Sequence, residues 1–265
     1  MKKTGTVLDR ILEKKQDEIQ RLKAENDIDG MKRQAEQAPR VKNFIAALRD
    51  CPHTAVIAEI KKASPSLGPI RPDLDVAALA RDYRDGGAAA ISVLTDEPFF
   101  GGCIDDLTTA SQAAGIPVLR KDFIVNPIQV YQARAAGADA VLLIVAALET
   151  DHLKDLYQLV LDLGMTPLVE VHNRDELDIA LTLNPRLLGI NNRDLKTLSV
   201  SLDTCLNLRP LVPADTLVVG ESGVKTMDDM DRLIAGGMNA FLIGTSLMKA
   251  DDPKTALRQL CRAGE

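Results

Sequence analysis

Carboxylates and ammonium groups stand at the ends of several apolar runs, where they could exchange protons. Glu59 and Lys61 lie in Ala58-Glu59-Ile60-Lys61-Lys62-Ala63-Ser64-Pro65-Ser66, and Lys121 lies in Arg120-Lys121-Asp122. Glu170 precedes Val171-His172, Asn191 leads Asn192-Arg193, and Glu221 sits in Gly220-Glu221-Ser222-Gly223. Acids and bases of this kind, brought to one place, suit general acid–base chemistry. Glu59 and Lys61 are two residues apart, so on a strand both leave one face while Lys62 leaves the other. Ser64 and Pro65 then stop the strand and put a hydroxyl and backbone N–H groups just past its end, with Ser66 as a turn residue. A second set is built for an anion: Ser64, Ser222 and Gly223, then Gly244 and Thr245, combine hydroxyls with residues small enough to let a backbone approach phosphate. The loop Thr95–Gly102 spends Phe99 and Phe100, two of the chain's five phenylalanines. With Phe123 and Leu142 it either walls a slot for an aromatic ring or simply packs a loop.

Eight short, almost wholly apolar runs must position these groups: 55–60, 89–94, 117–121, 140–145, 167–171, 187–191, 216–220 and 240–243. Near-continuous apolar strands are the mark of parallel strands covered on both faces. Helical patterns follow each of them, beginning near Asp75, Asp105, Pro127, Asp151, Arg174, Leu202, Met227 and Pro253, and supply the crossovers that parallel pairing needs. Gly86-Gly87, Gly137 and Gly236-Gly237 mark helix stops before the next strand. The sequence predicts an α/β fold, a (β/α)8 TIM barrel, because no G-x-G-x-x-G follows the first strand as an open dinucleotide-binding sheet would require. Residues 1–50 differ. Leu8, Ile11, Leu12, Ile19 and Leu22 keep helical spacing from Val7 to Lys23, and Phe44, Ile45 and Leu48 do so near 41–49. The expectation is an N-terminal helical extension, 1–50, packed on a barrel, 51–265, as a single domain, with the stretch 25–39 around Gly30 mobile. In a barrel of this kind chemistry gathers at the C-terminal strand ends, where all the groups above fall.

The net charge of −6 argues against a nucleic-acid surface. No run is long enough to span a membrane and no secretory leader is legible, so a cytoplasmic protein is expected. The four cysteines lie far apart, as in a reduced protein, and with three scattered histidines they outline no metal site. The histidines are read as structural or surface residues.

Seven ordered motifs carry a resemblance over nearly the whole chain: E-I-K-K-A-S-P-S at 59–66, L-T-D-E-P-F-F-G-G at 94–102, L-R-K-D-F at 119–123, L-V-E-V-H at 168–172, G-I-N-N-R-D-L at 189–195, G-E-S-G-V at 220–224 and L-I-G-T-S-L-M at 242–248. The sequence resembles the indole-3-glycerol phosphate synthase family of tryptophan biosynthesis. That resemblance implies an anionic phosphosugar substrate, 1-(2-carboxyphenylamino)-1-deoxyribulose 5-phosphate, cyclised with loss of carbon dioxide and water. It implies Lys121 as the general acid at the carbonyl and Glu170 as its partner in the dehydration. Lys61 would hold the anthranilate carboxylate, Glu59 would balance the lysines, and Asn191 and Glu221 would hold substrate hydroxyls. Ser64, Ser222, Gly223, Gly244 and Thr245 would surround the phosphate and sugar. Phe100, Phe123, Leu142 and Leu198 would take the ring, with Arg193 one layer behind. No cofactor or metal is implied, because a cationic adduct accepts the electrons of the departing carboxylate. No nucleic-acid or membrane partner is implied, and the expected assembly is a monomer or weak homodimer. Leu67 departs from the lysine common in the family's first loop, and Thr245 from a frequent serine. Two rivals remain: a phosphosugar barrel in which Lys121 forms a Schiff base, and a silent barrel kept as a binding module.

Overall fold

The computed structural model describes residues 5–65 and 67–262, so Ser66 lies outside the described residues. Eight parallel strands close into a barrel: β1 (Ala55–Ile60), β2 (Ala90–Leu94), β3 (Val118–Lys121), β4 (Ala140–Ile144), β5 (Thr166–Val171), β6 (Leu187–Asn191), β7 (Leu217–Glu221) and β8 (Ala240–Ile243). β1 pairs in parallel with both β2 and β8, which closes the ring. The strands are buried along almost their whole length because helices cover the outer face and side chains fill the inner one. This is the expected (β/α)8 barrel.

Local chemistry sets where the helices start and stop. Asp75, Asn126, Asn173 and Thr226 accept first-turn N–H groups of α4 (Val76–Asp85), α7 (Pro127–Ala135), α9 (Arg174–Leu181) and α11 (Met227–Ala235), each cap worth ~1 kcal/mol. At the far ends Gly87, Gly137 and Gly237 adopt φ of 96°, 88° and 90°, a region open to glycine, and turn the chain into the next strand. The remaining crossovers are α6 (Ile104–Ala114), α8 (Thr150–Asp162), α10 (Asp203–Leu208) and α13 (Pro253–Cys261).

Two short helices arise where loops were expected. α5 (Glu97–Phe100) is capped by Asp96 and opens with Pro98, while α12 (Thr245–Lys249) follows β8 directly. After β1 a two-residue antiparallel pairing of Ala63–Ser64 with Gly68–Pro69 gives the first loop internal order.

The N-terminal segment holds α1 (Val7–Glu25), α2 (Ile28–Gln37) and α3 (Phe44–Arg49). The stretch expected to be mobile is largely helical. Asp27 caps α2 by accepting from Asp29 and Gly30, and Met31 and Ala35 are buried on the face turned to α7. Gly30 sits in the first turn, where a glycine costs a helix least. Leu8, Leu12, Ile19, Leu22, Met31 and Phe44 join the same apolar cluster as the barrel strands. The segment therefore runs from the barrel's mouth, along its side, to its base. There Arg134 donates to the backbone of Ala38, and the Lys42 N–H donates 2.7 Å to Asp139 just before β4.

Candidate active site

The mouth formed by the C-terminal strand ends encloses a cavity of about 700 Å³. Glu59, Lys61, Lys121, Glu170, Asn191 and Glu221 all line it. So do Ser64, Ser222, Gly223, Gly244 and Thr245, and so do Phe100, Phe123, Leu142 and Leu198. Arg193 also lines the cavity rather than standing behind it, and its guanidinium donates 3.1 Å to the carbonyl of Leu198. A smaller cavity at the base, bounded by Arg40, Lys42, Tyr157 and Arg186, lies at the opposite end of the strands.

Lys121 is the hub. Its Nζ donates to Glu170 Oε2 at 3.0 Å and to Glu221 Oε2 at 2.9 Å, contacts that bring together the ends of β3, β5 and β7. Asn191 Nδ2, from β6, reaches Glu170 Oε1 at 3.3 Å. β7 extends one residue further than the sequence pattern indicates, so Glu221 is itself a strand residue, in register with Asn191. On β1, Lys61 pairs with Glu59 at 2.8 Å and donates to Thr245 Oγ1 at 3.2 Å, tying the first strand end to the eighth. Lys62 turns away and pairs with Asp106 at 2.7 Å.

Burial and neighbouring charge separate the two carboxyls. For Glu170 burial opposes the anion, but the Lys121 ammonium and the His172 ring outweigh it and hold the carboxyl well below its usual range. For Glu221 burial acts first, Lys121 pulls the other way, and the neighbouring Glu170 charge helps push the group up to about 8. Glu221 Oε1 is buried and receives no hydrogen bond among the described residues, consistent with a neutral carboxyl. Burial also opposes the Lys121 charge, yet Glu170 and Glu221 raise its pKa above the ordinary lysine range. These shifts favour an ammonium on Lys121, the anion on Glu170 and the proton on Glu221.

Small residues make room for these charges. A Cβ on Gly244 would meet Glu59 Oε1 at 2.2 Å, and one on Gly189 would meet Glu221 Oε1 at 2.3 Å. Gly244, expected only at the phosphate, is thus also required by the first glutamate. Ser222 (φ 62°) and Leu198 (φ 59°) are held in the left-handed region at roughly 1–2 kcal/mol each, strain of the kind that collects at functional sites. On the apolar side the Phe100 and Phe123 rings lie 6.2 Å apart, close enough to form one wall.

Constellation, cavity and fold agree with one profile. The sequence profile described as "Indole-3-glycerol phosphate synthase" matches residues 8–260. The chain belongs to the indole-3-glycerol phosphate synthase family. Synthases of that name from Albidiferax ferrireducens and Azospirillum brasilense are 49% and 48% identical over 257 residues, covering 96% of this chain and 97% and 98% of theirs. Members of the family are carboxy-lyases of tryptophan biosynthesis, and that is the activity of this chain. Among solved structures, N-acetylmannosamine-6-phosphate 2-epimerase from Clostridium perfringens superposes with a TM-score of 0.62 at 12% identity, over 83% of this chain and 96% of that one. Thiamine phosphate pyrophosphorylase from Pyrococcus furiosus does so at 0.60 and 17%, with the same coverage of both chains. These two likenesses show the barrel fold.

Sequence reasoning missed four contributions. Val7, Leu8 and Ile11 of α1 line the mouth, so the extension is part of its wall. Lys15, a lysine in mid-helix that reads as solvated, is 1% exposed and pairs with Asp122 at 2.8 Å and Asp96 at 3.0 Å. Its only sequence signal was its place on the apolar face between Leu12 and Ile19. His172, read as structural or surface, has Nε2 3.1 Å from Glu170 Oε1. Lys225 and Lys249 also line the cavity and add positive charge beside the small residues after β7 and β8.

Proposed function

We propose that the mouth performs the family's ring closure with Lys121 as general acid, Glu170 as base and Glu221 as a protonated hydrogen-bonding partner. The observation that carries this reading is the placement of Lys121 Nζ between two buried carboxyls, 3.0 and 2.9 Å away. As the aromatic carbon attacks the ketone, negative charge builds on the carbonyl oxygen, and an ammonium fixed in a water-poor site supplies both the proton and the countercharge. Carbon dioxide then leaves, its electrons taken up by the cationic adduct. Dehydration needs an acid for the hydroxyl and a base for the proton released. Glu170, kept anionic, suits the base.

Lys61 meets the substrate carboxylate, and its pairing with Glu59 at 2.8 Å keeps it aimed. Phe100, Phe123, Leu142 and Leu198 enclose the ring, and Arg193 orders the backbone at Leu198. Ser64, Ser222, Gly223, Gly244 and Thr245 hold the phosphosugar, with Lys225 and Lys249 supplying countercharge. The same charges speak against a Schiff-base reading, since a nucleophilic lysine needs its pKa lowered and Lys121 has its raised.

The test follows fluorescent indole product from purified protein and from Lys121→Ala. Loss of a general acid lowers turnover by roughly 10²–10⁴-fold. A Lys121→Ala enzyme with an unchanged melting temperature and unchanged kcat would remove Lys121 from this role.

A further inference from the structure

Glu170 and Glu221 compete for one ammonium, and nothing in Lys121 itself decides which of them stays charged. The asymmetry comes from behind Glu170. His172, two residues further on, places Nε2 3.1 Å from Glu170 Oε1 and Nδ1 3.0 Å from Glu176 Oε2. Its side chain is only 5% exposed. The Nε2 contact is an ion pair by distance.

Glu176 is fixed in turn. It lies in the first turn of α9, accepts the His172 backbone N–H at 2.8 Å, and takes the Asn173 amide at 2.7 Å on its other oxygen. A neutral imidazole has one N–H and one lone pair, and a lone pair facing a carboxylate is repelled. Both ring nitrogens face carboxylate oxygens here, so the doubly protonated ring is the form that fits. Burial opposes that charge, but the two carboxylates overcome it and push the ring's pKa up to about 10.

The charged groups around Glu170 come from strand ends across the mouth rather than from the two strands beside it. Lys121 projects from β3 and Glu221 from β7, the Glu59–Lys61 pair lies across on β1, and Asn191 on β6 adds a neutral donor. Among the described residues, His172 and Lys121 are the cations within ion-pair distance of Glu170.

We infer that His172, clamped by Glu176, is a positioning residue whose permanent imidazolium charge keeps Glu170 as the anion of the carboxyl pair and leaves the proton on Glu221. This rests on Glu170 serving as base in the reading above. His172 touches no reacting atom in this scheme; it selects which carboxyl is competent to accept a proton.

The experiment uses the full chain with labelled histidines, the three being told apart by single His→Gln substitutions. Two measurements are made: ring nitrogen shifts against pH, and kcat and KM against pH for wild type, His172→Gln and Glu176→Gln. The His172 ring is expected to remain protonated through pH 9. In His172→Gln the acid limb of kcat should move up by about one unit or more, since removing an adjacent cation raises a carboxyl pKa, while KM changes less than about threefold. Glu176→Gln should move the limb the same way by a smaller amount. A ring that titrates below about pH 7.5, or an acid limb unmoved in both variants, overturns the inference. The ring titration is made on the unsubstituted protein, so misfolding of a variant does not blunt it. If Glu170→Gln turns over substrate normally, the assignment of Glu170 as base fails instead, and the ring titration still decides the state of His172.

Discussion

Replacing Lys15 by methionine should expose how strongly the N-terminal helix is anchored. Lys15 Nζ lies 2.8 Å from Asp122 Oδ1, 3.0 Å from Asp96 Oδ2 and 2.6 Å from Glu18 Oε2, with Lys15, Asp96 and Asp122 each 2% exposed or less. Methionine keeps most of the volume and removes the charge. Asp122 retains Arg120 at 2.9 Å, so the uncompensated carboxylate is chiefly Asp96, left with the Phe99 N–H at 2.9 Å. Removing one partner of a buried ion pair costs about 3–5 kcal/mol. In a chain of this size that is roughly 6–20 °C in melting temperature. Burial already raises the pKa of Asp96, and without Lys15 it rises further above the unfolded value. The mutant penalty should therefore be larger at pH 7 than at pH 5, where Asp96 can take up a proton. Urea denaturation at both pH values measures this, and adding Asp96→Asn should recover part of the loss. Because Leu8 and Ile11 of the same helix line the cavity, KM should rise as well. A loss below about 1 kcal/mol at pH 7, or a loss independent of pH, would refute the reasoning, since no buried charge would then have been orphaned.

Two other perturbations follow from the mouth. Gly244→Ala places a methyl 2.2 Å from Glu59 Oε1, which must swing off its 2.8 Å contact with Lys61; kcat/KM should fall about 10-fold or more, with ~1–3 kcal/mol of lost stability, as steady-state kinetics and melting will show. Stability should also fall as pH rises from about 8 to 10. The His172 ring binds its proton more tightly folded than unfolded, so its contribution is full below its ordinary 6.5 and is lost through about 10. Glu221 is half titrated at about 8, so its contribution to the pH slope fades over the next unit. Urea midpoints at pH 8 and 10 should therefore differ less in His172→Gln than in wild type, and equal differences would exclude the ring as the source.

The barrel was legible because its signal is local. A strand buried on both faces must be apolar along its length, so the runs at 55–60 or 240–243 announce themselves without knowledge of their partners. The carboxylates and lysines of the mouth were legible for a related reason: a charge that terminates such a run has nowhere to go but the strand end. What escaped depended on distant partners. Lys15 looks like any surface lysine until Asp96 and Asp122 are placed beside it. His172 looks incidental until Glu176, one helical turn on, is seen to hold its far nitrogen. The helix at 28–37 was obscured by Gly30, whose cost is met by a cap from Asp27 and by burial of Met31 and Ala35. The seventh run was drawn only to Gly220, where its apolar residues end, with Glu221 placed at the strand end; pairing with β6 carries the strand one residue further, through Glu221.

Closure of the ring by β1 and β8 has a consequence for how the enzyme comes into being. As the chain leaves the ribosome, α1 and Glu59 emerge long before Asp96, Asp122 and Gly244, and Lys121 precedes Glu221 by 100 residues. The Lys121, Glu170 and Glu221 trio draws on three strands far apart in the order of synthesis, and the first glutamate gains its niche only when the eighth strand arrives. Contacts of such separation form late and slowly. A nascent barrel therefore carries Lys121 before either of its carboxylates has been made, and activity switches on at the moment the two ends of the sheet meet.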